Sequence, residues 1–250
     1  MTMYDATVKN ASRNSLAACF HPENMFEIGP LYMSCQFLSF FSVVHIEYLP
    51  AYDGDYGEPF SGDLSVNLRR ASYIMQVTLQ RGHFVALVME RVSGRFIVMD
   101  SIAREDKAED VYNSRVEKFL VDYRYYANLS DLLTEARNRP YGLVTDLPRQ
   151  TDNVSCGAYA IYFLAMVMCT KSSMEQLFSS VTETTFIHSG FFPEMLSIEE
   201  EHYLRRWIYC IFKLGSYQRT CAQRIKQKFN QEQGSKYSEE MSMLDLMNIE

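Results

Sequence analysis

No two of the six cysteines, at 19, 35, 156, 169, 210 and 221, stand in a C-x-x-C pair, and the five histidines keep no ligand-like rhythm beside them. That spacing argues against a zinc site, and a reducing compartment argues against a disulfide framework. The first thirty residues carry Asp5, Lys9, Arg13, His21, Glu23 and Glu27 without a continuous apolar stretch, so they do not read as a secretory leader. The chain is therefore expected inside a cell, in cytoplasm or nucleus (a host cell for a viral or effector protein), where thiols stay reduced and behave as small buried hydrophobes. The longest nearly unbroken apolar run, Cys156 to Cys169, is too short to span a bilayer and reads as a buried core helix. Net positive charge is absent too: a formal charge of −7 argues against general nucleic-acid binding, and the basic stretch from Arg219 to Lys228 reads as a solvated helix face. Internal repeats and low-complexity tracts are likewise missing.

What is present is enough apolar material for one substantial core. With 250 residues, 47% hydrophobic and 14% aromatic, the chain fits a single domain. We expect that domain over residues 1–234, with a catalytic core at about 73–170 and a flexible tail at 235–250. Leu31 to Leu49 suits one or two packed elements, and Ala51 to Asp63, with Gly54, Gly57, Gly62 and Pro59, reads as a surface loop. From Tyr73, the alternation of Met75, Val77 and Leu79 with Gln76, Thr78 and Gln80 predicts a half-buried strand. Arg81 and Gly82 turn the chain, Phe84 to Met89 is apolar throughout, and Ser93-Gly94 separates it from Arg95 to Met99. Together these predict an antiparallel meander. Helical patterns follow over Asp110 to Tyr126 and Leu129 to Arg137, then a short strand from Leu143 to Leu147 and a polar loop from Pro148 to Asn153. The apolar helix begins near Ser155, a residue able to cap a helix N-terminus. Glu199 to Leu214 and Tyr217 to Gln231 are further helical patterns.

Cys156 stands where that loop becomes the helix, close to unpaired backbone N–H groups and the positive end of the helix dipole, a placement that favours the thiolate. Gly157 leaves room for close approach. His83 opens the strand after the Arg81-Gly82 turn, and a hairpin at Ser93-Gly94 brings Asp100 to the same end of the sheet. There a carboxylate can hold the tautomer of the imidazole and stabilise its charged form. Gln150, six residues before Cys156, offers amide N–H groups to an oxyanion, with the Cys156 backbone N–H as the second donor. Singly, each residue has a plainer explanation: a buried Cys is ordinarily packing, a His can finish a strand, Asp100 can cap a turn with Ser101, and Gln150 can be a loop amide. Jointly they supply nucleophile, base, orienting group and electrostatic stabiliser, the roles of an acyl transfer.

Gly82-His83-Phe84, Val98-Met99-Asp100-Ser101 and Leu147-Pro148-Arg149-Gln150 running to Ser155-Cys156-Gly157 resemble the SUMO-deconjugating proteases and adenovirus protease, over roughly Tyr73 to Thr170. The resemblance implies an α+β papain-like cysteine protease fold, with a central, mostly antiparallel sheet flanked by helices and the nucleophile at the N-terminus of a buried central helix. It implies Cys156, His83, Asp100 and Gln150 as catalytic residues, Phe84, Ser155 and Gly157 at a narrow substrate groove, and neither metal nor organic cofactor. It also implies a protein substrate cleaved after small residues: ubiquitin, a ubiquitin-like modifier such as SUMO, or a viral precursor. That family usually carries Trp after the histidine and Asp before the cysteine, where this chain has Phe84 and Ser155, which leaves the modifier unassigned. Three alternatives to the modifier protease are a viral or mobile-element maturation protease, an acetyltransferase effector on the same fold, and an inactive modifier-binding module. His188, ahead of Phe191-Phe192-Pro193, is expected to border the groove.

Overall fold

The computed structural model describes residues 45–50, 63–102, 108–129, 139–169 and 171–190, with single positions among 31–38 and 192–208. In chain order the elements are β1 (Ile46–Tyr48), α1 (Asp63–Arg70), β2 (Tyr73–Gln80), β3 (His83–Glu90), β4 (Phe96–Met99), α2 (Ala108–Ala127), β5 (Tyr141–Val144), α3 (Cys156–Cys169), α4 (Lys171–Ser179) and β6 (Thr185–Ile187). The described positions at 31, 34, 35 and 38 are helical, as are 200–201, 204–206 and 208. The expected helix at Glu199 to Leu214 thus has helical residues wherever it is described up to Ile208.

The meander forms as the apolar pattern requires. Arg81 (φ 52°) and Gly82 (φ 74°) make a two-residue turn with both residues in the left-handed region, the geometry whose twist suits a tight antiparallel hairpin. It sets Gln80 opposite His83. A second antiparallel pairing joins β3 to β4. Parallel ladders extend the sheet on both sides, β1 on β2 and then β5 and β6 beyond β4, so the six strands lie in sequence order in a mixed sheet.

Alternate residues of β2, β3 and β4 feed two cores. Phe84, Ala86 and Val88 of β3, with Ile97 and Met99 of β4, join the cluster built around α3 and α4. Val85, Leu87 and Met89, with Phe96 and Val98, face α1 and α2. The helix α3 is apolar all round, which requires burial on every side: from Cys156 to Val167 only Met166 is more than slightly exposed among its described apolar side chains.

Several expectations change in detail. The alternation in β2 predicted one wet face, yet Gln76 and Thr78 are buried. The helix α2 covers them: Gln76 Nε2 donates to Asp122 Oδ2 at 2.8 Å, and Arg115 Nη1 donates to Thr78 Oγ1 at 3.0 Å. A polar strand face can be buried when a polar helix face meets it with hydrogen bonds. The strand expected at Leu143 to Leu147 runs instead over Tyr141–Val144, because pairing with β4 starts directly after Pro140, with Phe96 opposite Tyr141. Asp63 belongs to α1, not to a loop; the rest of the expected loop, residues 51–62, lies outside the described residues. So do 130–138, which hold nearly all of the expected second helix, and everything beyond 208, including the expected helix at Tyr217 to Gln231 and the tail at 235–250. The elements α1, α4 and β6 had no expectation. Among the described residues no helix is long and apolar enough to cross a membrane.

Candidate active site

Extending the β3–β4 register one step past Ala86 and Met99 puts Asp100 opposite Val85, two residues along from His83. On one sheet face these are diagonal neighbours, near enough for long side chains to meet. They do: His83 Nε2 lies 2.6 Å from Asp100 Oδ1. The carboxylate is itself held, since Tyr112 of α2 donates to Oδ2 at 2.8 Å and the Ile102 N–H to Oδ1 at 2.8 Å. Arg115, also on α2, donates to the His83 carbonyl at 3.3 Å and so fixes the start of β3. The His83 ring also shares a side-chain hydrogen bond with Cys156, the first residue of α3. Nδ1 is the nitrogen that the Asp100 contact leaves for the sulfur.

Burial works against a charged imidazole, but the hydrogen bonds with Asp100 and Cys156, and the negative charge of both, raise the pKa of His83 to about 9. At neutral pH the ring is therefore held protonated beside a sulfur that opens α3. Cys156 is 1% exposed and Asp100 6%, whereas the His83 side chain keeps 20% of its surface open. Cys35 makes a useful contrast: it is equally buried, burial pushes its thiol far up, and its thiol is hydrogen-bonded to the Tyr48 side chain. Cys35 is a core hydrophobe.

The loop before α3 is tied to the same strand end. The Gln150 backbone N–H donates to the Ser101 carbonyl at 3.3 Å, and Ser101 Oγ donates to Gln150 Oε1 at 2.6 Å. Gln150 Nε2 donates to the Asp152 carbonyl at 2.7 Å, leaving its second proton free for another acceptor. Ser155 provides the carbonyl that accepts the first helical bond, from Tyr159 N–H at 3.0 Å. Its side chain departs from the expected cap, however: Ser155 Oγ donates to Asp152 Oδ2 at 2.6 Å and accepts from Arg205 Nη2 at 2.8 Å. Asp152 closes the turn ahead of the helix, taking Val154 N–H at 3.0 Å and Ser155 N–H at 2.8 Å on Oδ1.

Of the residues expected at a substrate groove, Phe84 is 2% exposed within the α3 core, where it packs and offers no surface, and Ser155 is 5% exposed with its hydroxyl engaged. Gly157 is buried in the first turn of α3. A cavity of about 650 Å³ opens beside Gln150 and is lined by Asp146, Arg149, His188, Phe192 and Met195 among others. His188 is among the residues that line this cavity. Its partner there is Asp146, 3.8 Å away; burial would raise the pKa of that carboxyl, but hydrogen bonds from Ser189 and Gly190 hold it below the usual carboxylate value. Among the described residues no group of three or more His, Cys, Asp or Glu side chains is placed to hold a metal ion.

A thiol, an imidazole and a carboxylate joined by hydrogen bonds can carry out nucleophilic acyl transfer. Comparison with known proteins agrees with that chemistry. Residues 68–188 match the Ulp1 protease family, C-terminal catalytic domain. That segment, just under half of the chain, is similar to the catalytic domain of the ubiquitin-like protease family, whose members are cysteine proteases, and the mixed sheet flanked by helices agrees with the α+β papain-like fold. The match starts in α1 and ends at His188, so it is wider than the core expected from sequence. Among solved structures the chain is similar to the SUMO protease Ulp1 with its catalytic cysteine oxidised to a sulfonic acid, at 12% identity and TM-score 0.48, covering 85% of this chain and 96% of that one. It is similar to the C-terminal Ulp1 protease domain in complex with Smt3, the yeast orthologue of SUMO, at 14% identity and TM-score 0.46, covering 85% and 96%. A third is the Chaetomium thermophilum Ulp1-like SUMO protease catalytic domain, at 13% identity and TM-score 0.39, covering 85% and 90%. Comparison with curated proteins gives no match.

Sequence reasoning missed Tyr112, Arg115, Asp152 and Arg205. Asp152, three residues before Ser155, carried a local signal, the spacing of a side-chain cap. The other three carried none, because their partners stand 12 to 50 residues away.

Proposed function

We propose that this chain is a thiol protease that cleaves the peptide or isopeptide bond after the small-residue C-terminus of a ubiquitin-like modifier, with a SUMO-like modifier first in order. The observation that carries the reading is His83 hydrogen-bonded to both Asp100 and Cys156, with Cys156 the first residue of α3.

In this mechanism the Cys156 thiolate attacks the scissile carbonyl carbon. The carbonyl π electrons move onto oxygen, and that oxyanion accepts hydrogen bonds from the free Gln150 Nε2 proton and the Cys156 backbone N–H. Collapse expels the amine, which takes its proton from the His83 imidazolium and leaves a thioester on Cys156. Water then gives a proton to the neutral imidazole as its oxygen attacks the thioester. Collapse expels the thiolate and frees the carboxylic acid of the modifier, which releases its proton to solvent, and the thiolate–imidazolium pair is restored. Asp100 keeps its proton balance throughout and holds the ring in place. No observation favours viral maturation, acetyl transfer or silent binding over this reading.

The test is labelling by SUMO and ubiquitin carrying a C-terminal electrophile, followed by peptide mapping. We expect modification at Cys156 and its loss in Cys156→Ala and His83→Ala, with both variants retaining the circular dichroism spectrum of the folded parent. Labelling that survives Cys156→Ala, or no labelling and no cleavage by the folded parent with any modifier, would sink the reading.

A further inference from the structure

Both halves of the proposed oxyanion hole depend on one residue that faces neither the thiol nor the imidazole. The Asp152 carbonyl accepts from Gln150 Nε2, and the Asp152 carboxylate holds the N–H groups of Val154 and Ser155, the two residues ahead of Cys156. Asp152 also receives the Ser155 hydroxyl, whose oxygen is gripped from the far side by Arg205. Arg205 is 5% exposed and belongs to the described helical positions near the C-terminal end of the structure, 50 residues beyond its partner. One turn earlier in that segment, Glu201 accepts from the Tyr159 hydroxyl on the first turn of α3, and the same hydroxyl lies 3.4 Å from the Arg149 carbonyl. Two side chains spaced i, i+4 therefore point from one helical face onto the loop-to-helix junction that carries the nucleophile.

Resting on the function proposed above, we propose that Arg205 and Asp152 are positioning residues for acyl transfer: through Ser155 they fix the turn that aims the Cys156 N–H and the Gln150 amide at the oxyanion. Charge supports the arrangement. Burial would raise the pKa of Asp152, but the Ser155 and Val154 hydrogen bonds and the charge of Arg205 hold it below the ordinary carboxylate value. The carboxylate thus stays ionised across the working range, and both of its oxygens remain acceptors. A neutral, unaccompanied carboxyl would lose the Ser155 hydroxyl bond or turn it around.

The test compares Arg205→Met and Arg205→Lys, with Asp152→Ala and Asp152→Asn as a second pair, using turnover of a SUMO–aminomethylcoumarin conjugate and alkylation of Cys156 by iodoacetamide. Alkylation displaces iodide at an sp³ carbon and forms no oxyanion, so it reads the thiol alone. Removing one oxyanion donor outright costs roughly 10²–10³ in kcat; loosening two should lower kcat about 10- to 100-fold in Arg205→Met and Asp152→Ala. We expect KM and the alkylation rate within about threefold of the parent, and partial recovery in Arg205→Lys and Asp152→Asn, which keep a donor or an acceptor in place. Unchanged kcat in Arg205→Met, or alkylation falling in parallel with kcat, overturns the proposal. Should Arg205→Met fail to fold, Arg205→Lys and Asp152→Asn decide by the same split. Amide hydrogen exchange at residues 154–156 separates this inference from the functional one: even if the parent turns over no modifier, faster exchange in Arg205→Met upholds the positioning of the turn, and unchanged exchange overturns it.

Discussion

His83 has two neighbours that favour its charged form, and the consequence is measurable in both stability and rate. Its folded pKa of about 9 stands above the ordinary imidazole value of 6.5, so the stability it contributes is complete below about pH 6.5 and is lost as pH rises through 9. The rate has the same alkaline limit in the proposed mechanism, because the imidazolium supplies the proton to the leaving amine. Asp100→Asn keeps a polar partner but removes the charge. We expect the alkaline limb of kcat/KM near pH 9 in the parent and at least one unit lower in Asp100→Asn, with activity reduced less than in His83→Ala. A limb that does not move in a pH–rate profile would remove Asp100 from its role. Residue types and spacing made this set legible in the sequence, since a tight turn at Arg81-Gly82 and a short hairpin fix His83 and Asp100 locally. The engagement of Ser155 by Arg205 was not legible, because no local rule connects positions so far apart.

Among the elements, the long, periodic ones were readable: β2, β3, β4, α2 and α3 each carry their pattern over a whole segment. Three short ones were not. The helix α1 spans eight residues, β6 three, and α4 is too polar to announce a core face; what holds them in place is contact with the rest of the fold. The seam between β5 and β6 shows how close that contact is. A methyl group at Gly142 would run into Ile187 and lie 2.9 Å from Val181 Cγ2. Gly142→Ala should therefore destabilise by about 1–3 kcal/mol in urea titration, as overpacking does. Ile187→Ala on top of it should cost less than the sum of the two single changes, because the cavity left by one accepts the methyl of the other. Strict additivity would mean that the seam has slack.

For the molecule as a whole, the sheet is shared by two apolar clusters, one around α3 and one around α2. Because β2, β3 and β4 contribute side chains to both, neither cluster can lose its helices without exposing the strands of the other. Leu164→Ala in the first cluster and Phe119→Ala in the second should each cost about 2–5 kcal/mol and lower a single common transition. Two separate transitions by circular dichroism and amide exchange would mean that the described residues hold two units, against the single domain expected for 1–234.

By itself, the sequence determined the meander, the buried helix and the residues that meet at its start, because hydrophobic period, turn chemistry and helix entry are local properties. Only the tertiary structure decided that the polar face of β2 is buried under α2, that Phe84 packs inward, and that Arg205 closes over Ser155. Those outcomes depend on which surfaces meet across 12 to 50 residues of intervening chain, and a buried polar group finds its partner by geometry that no periodicity along the chain records.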